Sequence, residues 1–107
     1  MNKDKKILSN LVRAIKKSLP DTITDIYWFG SRASGEGCSD SDYDLLLVMT
    51  HKINPDERDK IADVVIDFEA ENEVVFDIHY STKEDIKLFP RGRSPFIIET
   101  LEKGILL

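Results

Sequence analysis

The chain has 107 residues, 41% hydrophobic and 33% charged, which is enough for one compact domain over residues 1–107 and too little for two. Its formal net charge of -5 and pI near 5.0 argue against a broad nucleic-acid footprint, because duplex binders normally carry a large positive surface excess, and leave room only for a local basic patch. Cys38 has no partner for an internal disulfide, no Cys/His cluster has zinc-site spacing and no apolar stretch approaches the roughly 20 residues that span a bilayer, so a cytoplasmic protein without membrane contact is expected.

Ile7, Leu8, Leu11, Val12, Ile15 and Leu19 recur at helical spacing and Pro20 stops the pattern, which predicts an amphipathic helix over 3–18. Lys5, Lys6, Arg13, Lys16 and Lys17 fall opposite this stripe, as a solvated face or a docking surface for an acidic partner. Residues 23–29 (ITDIYWF) are rich in β-branched and aromatic types and end at Gly30, which predicts a strand and then a tight turn. The glycines at 35 and 37 keep the connection short of regular structure. Residues 43–49 (YDLLLVM) are nearly continuous in apolar character, as expected of a central strand covered on both faces.

Asn54-Pro55 supplies an N-cap and a proline at the first helical position, and Ile61, Val64, Val65 and Phe68 continue a helical stripe for about four turns. A third strand is predicted over 74–80, with Val74, Phe76, Ile78 and Tyr80 on one face and Val75, Asp77 and His79 on the other. Ser94-Pro95 opens a short helix over 96–102, Gly104 ends it, and Ile105-Leu106-Leu107 is expected to pair as a short edge strand. The order helix, strand, strand, helix, strand, helix gives an α+β fold, an α/β sandwich with a small mixed β-sheet packed with helices.

The chemistry concentrates in residues 29–48, FGSRASGEGCSDSDYDLLLV. Asp42 and Asp44 are two apart at the mouth of a strand, so their side chains share a face about 7 Å apart along the chain. Such a pair repels itself unless cations bridge it, and Mg²⁺ takes carboxylate oxygens together with substrate phosphates. The Gly30-Ser31 turn is the complementary half: glycine lets backbone approach a ligand, and Ser31 can cap the helical turn that follows, presenting N–H groups and a hydroxyl to a phosphate. Arg32 is a further candidate phosphate contact, or an exposed loop arginine. Two-metal transfer needs a third carboxylate, and Asp77, in an otherwise apolar strand, is the best candidate. A register using Asp40 and Asp42 is conceivable, but Leu45 to Val48 follow Asp44 directly and favour Asp42/Asp44. His79 shares a face with Asp77 and is expected to be a packing or surface residue. His51 and Cys38 have no partner spacing, and Arg91 and Arg93 read as a solvated basic loop.

The stretch formed by Gly30, Ser31, Ala33, Gly35, Ser41, Asp42, Asp44 and Leu45, followed by Asp77, resembles the signature of the DNA polymerase β-type nucleotidyltransferase superfamily. At this length the chain is most similar to the minimal nucleotidyltransferases, and the resemblance covers residues 23–80 well and the ends loosely. The resemblance implies an NTP, with ATP the expected donor, and two Mg²⁺ ions held by Asp42 and Asp44. Asp77 would complete one metal site and help deprotonate the acceptor hydroxyl, while Gly30 and Ser31 would hold the triphosphate. It also implies a partner, since minimal members are similar to antitoxins paired with all-helical HEPN proteins, some of which receive AMP on a tyrosine. Two other readings stay open: a neutralising subunit with weak or no catalysis, and nucleotidylation of a small molecule.

Overall fold

A computed structural model describes residues 2–30, 42–87, 102 and 104–107. The chain begins with helix α1 (Asn2–Ser18), strand β1 (Ile23–Phe29), strand β2 (Tyr43–Met49) and helix α2 (Pro55–Asn72). It continues with strand β3 (Phe76–Thr82), helix α3 (Lys83–Lys87) and strand β4 (Ile105–Leu106). The four strands form one sheet in the order β3-β2-β1-β4, antiparallel between β1 and β2 and between β1 and β4, and parallel between β2 and β3. The expected mixed sheet packed with helices is what the chain adopts.

The helical stripe of α1 buries Ile7, Leu8, Leu11, Ile15 and Leu19 against Ile26, Trp28, Leu45, Leu47 and Met49 of the sheet, with Ile61 and Val65 of α2 in the same cluster. Each fully buried Leu or Ile there contributes about 1.5–3 kcal/mol through water exclusion. A β-bulge between Ile23 and Asp25 explains why the inward residues of β1 are Ile23, Ile26 and Trp28 rather than a strict alternation. Leu46 and Val48, on the opposite face of β2, are buried as well, as the continuous apolar run requires. Tyr43 turns inward, stacks on Phe76 with ring centroids 5.2 Å apart and donates its hydroxyl hydrogen to Asp4 in the first turn of α1. That bond ties the start of β2 to the start of the chain.

Helix α2 begins as the sequence indicates. The Asn54 side chain accepts from the Glu57 N–H at 2.8 Å while the Glu57 carboxylate accepts from the Asn54 N–H at 3.1 Å, a reciprocal capping box beside Pro55. The helix runs 18 residues, a turn longer than its apolar stripe indicates, because its polar last turn is held from outside. Glu73 takes a left-handed conformation with φ 54° and the Val74 N–H donates to the Glu69 carbonyl, while the Glu69 carboxylate accepts from the Phe76 N–H at 2.9 Å. These caps occupy Glu73 and Val74, so β3 covers 76–82 in place of the expected 74–80. The predicted division of its faces holds, with Phe76 buried and Ile78 and Tyr80 packed on the core. Helix α3 has no counterpart in the sequence reading; the Thr82 hydroxyl caps it by accepting from the Asp85 N–H at 3.0 Å. At the chain end, Tyr27 pairs with Leu106 and Trp28 with Ile105, the expected edge strand. The expected helix over 96–102 lies, apart from Glu102, outside the described residues.

Candidate active site

The site is a product of strand register. Phe29 of β1 lies opposite Asp44 of β2, and Asp44 lies opposite Asp77 of β3, so one row across the sheet ends in two adjacent carboxylates. Two residues further along β3, His79 lies opposite Leu46 and on the same face as Asp77. A carboxylate oxygen from Asp44, one from Asp77 and a ring nitrogen of His79 all lie within 4.8 Å of one another. His79 Nε2 is 3.2 Å from Asp77 Oδ2, and the Phe29 ring packs on the imidazole with centroids 5.6 Å apart.

Gly30 follows β1 at φ +87°, a conformation that L side chains rarely adopt. A Cβ built there would collide with the Asp44 carboxylate, so the backbone passes directly over this side chain. Asp44 is half-buried, and burial pushes its carboxyl above the ordinary carboxylate range. The charges of Asp77 and Asp42 push it the same way, while His79 opposes them. An ionised Asp44 therefore lacks solvation and has an acidic neighbour, conditions that a bound cation relieves. The converging oxygen and nitrogen donors fit a divalent ion.

Asp42 lies just before β2 and is exposed, and its charge reaches Asp44 although it is not one of the three converging donors. Ser31, Arg32, Cys38, Asp40, Arg91 and Arg93 lie outside the described residues. His51 sits beyond the opposite end of β2, with Nε2 2.8 Å from the Glu57 carboxylate at the start of α2. The one residue that the sequence reading assigned to packing or the surface, and that the structure brings into the cluster, is His79. Its only advance signal is the two-residue spacing from Asp77.

Residues 8–107 match the nucleotidyltransferase domain family. No curated protein sequence matches the chain. Among solved structures, a mutant of the toxin–antitoxin pair MntA–HpeT is similar with a TM-score of 0.61 at 13% identity, over 92% of this chain and 69% of that one. A toxin–antitoxin structure with AMP-PNP reaches 0.60 at 16% identity, over 95% of this chain and 70% of that one. A chain in the complex of tri-AMPylated Shewanella oneidensis HEPN toxin with MNT antitoxin reaches 0.58 at 13% identity, over 95% of this chain and 69% of that one. At these identities the likeness is one of fold. Because the family match runs from the first helix through every strand of the sheet, the protein belongs to the nucleotidyltransferase domain family.

Proposed function

We propose that the protein transfers a nucleoside monophosphate, AMP from ATP, to a tyrosine hydroxyl of an all-helical HEPN-type toxin and so acts as its antitoxin. The observation that carries this reading is the row Phe29, Asp44, Asp77 with Gly30 folded over Asp44, in a chain of the nucleotidyltransferase family. The complexes with AMP-PNP and with an AMPylated HEPN toxin, which share the fold, support the choice of an adenine nucleotide as donor and a toxin as acceptor.

Asp42, Asp44 and Asp77 are the residues that would hold two Mg²⁺ ions. When bound, such ions neutralise charge on the entering and leaving oxygens of an in-line displacement. Gly30, with no side chain, lets backbone come within reach of the triphosphate, and Ser31 would add a hydroxyl donor. Asp44 is the more buried carboxylate and Asp77 the more exposed, so Asp77 is the one an incoming hydroxyl can reach. Asp77 would accept the proton of that hydroxyl as its oxygen bonds to the α-phosphorus. The α–β phosphoanhydride bond breaks, and pyrophosphate leaves.

Incubation with labelled ATP, Mg²⁺ and a HEPN-type partner encoded beside it tests the reading. Label should move to the partner's tyrosine and be lost from the Asp42→Asn/Asp44→Asn double variant. Tight complex formation with no transfer would instead establish a neutralising subunit, and label on a soluble acceptor without the partner would establish small-molecule nucleotidylation.

A further inference from the structure

His79 is placed by the same device that places Asp77. The two alternate with Ile78 along β3, so both leave the sheet on the Asp44 face, while Ile78 packs on the core. The Phe29 ring holds one side of the imidazole, and Nε2 stands 3.2 Å from Asp77 Oδ2. Two ligands about 2.1 Å from an octahedral ion lie about 3 Å apart, and two ligands about 2.0–2.1 Å from a tetrahedral ion lie about 3.3 Å apart. The observed separation matches neighbouring donors on one ion. The third donor, on Asp44, lies within 4.8 Å of both, a gap that a bound ion can close through small side-chain rotations.

We propose that His79 is a nitrogen ligand of the cation held between Asp44 and Asp77, and that it biases this position toward a first-row transition-metal dication such as Mn²⁺ over Mg²⁺. This deepens the reading above and rests on it for the place of the metal. Mg²⁺ demands oxygen ligands and dehydrates reluctantly, whereas an imidazole nitrogen adds affinity for the softer transition ions. A carboxylate-only site lacks that added nitrogen contribution. Nε2, the ring atom nearest Asp77, is the nitrogen that would face the ion beside that carboxylate, and the Phe29 ring packs on the imidazole that carries it.

The test uses the free protein of all 107 residues with Mn²⁺ alone and no nucleotide. Pulsed electron paramagnetic resonance of the bound Mn²⁺ should show coupling to an imidazole ¹⁴N. The chain has two histidines, so the coupling should persist in His51→Gln and vanish in His79→Gln. His79→Gln should also weaken Mn²⁺ binding by about tenfold or more while changing Mg²⁺ binding far less. Bound Mn²⁺ without ¹⁴N coupling, coupling that survives in His79→Gln, or no Mn²⁺ binding to the folded protein would each overturn the proposal. Loss of nucleotidyl transfer with the coupling intact would instead defeat the proposed reaction and leave the ligand assignment standing.

Discussion

Gly30 is the residue at which conformation and site meet. Its φ of +87° and the Asp44 carboxylate occupying the space of a side chain exclude even a methyl group. Gly30→Ala should cost about 1–2 kcal/mol for the left-handed backbone alone and more for displacing Asp44, seen as a lower urea midpoint. Asp44 itself carries a pH signature. Its folded-state value is raised above 3.8, so the native state binds the proton more tightly than the unfolded chain, and stability falls as pH rises from 3.8 through the folded value. Asp44→Asn removes that loss, so in metal-free buffer the variant should be more stable than the parent at neutral pH and gain nothing below 3.8. Equal midpoints across the whole range would show that burial and Asp77 do not strain this carboxyl.

Among the elements, α2 sets the geometry of the sheet, because it is the connection that makes β2 and β3 parallel. Its start is a side-chain device, the Asn54/Glu57 capping box, and Asn54→Ala should cost about 1 kcal/mol, measured as a shift in thermal midpoint. Such caps are legible in sequence, as are strands with continuous apolar runs: β1 and β2 occupy the residues that composition indicates. The end of α2 is not legible, since it rests on Glu69 holding the Phe76 N–H and on a left-handed glutamate rather than glycine. Helix α3, at five residues, is too short to show a period.

For the molecule as a whole, the juxtaposition of Asp44 and Asp77 is a property of register, and no local pattern could state it. Sequence chemistry named both residues by burial cost and motif, while the nearness of His79 needed the sheet. A ligand that binds only this assembled row should stabilise the entire fold. A divalent cation at about ten times its dissociation constant should add about 1.4 kcal/mol, read as a raised melting temperature that disappears in Asp44→Asn/Asp77→Asn. The joint at Glu73–Val75 then has a meaning beyond ending a helix. Side chains alternate along a strand, so an inserted residue that slipped β3 by one place would turn Asp77 and His79 toward the α1 and α2 side and present Phe76 or Ile78 to Asp44. The number of residues in this joint, as much as their chemistry, is therefore what keeps Asp77 and His79 on the Asp44 face.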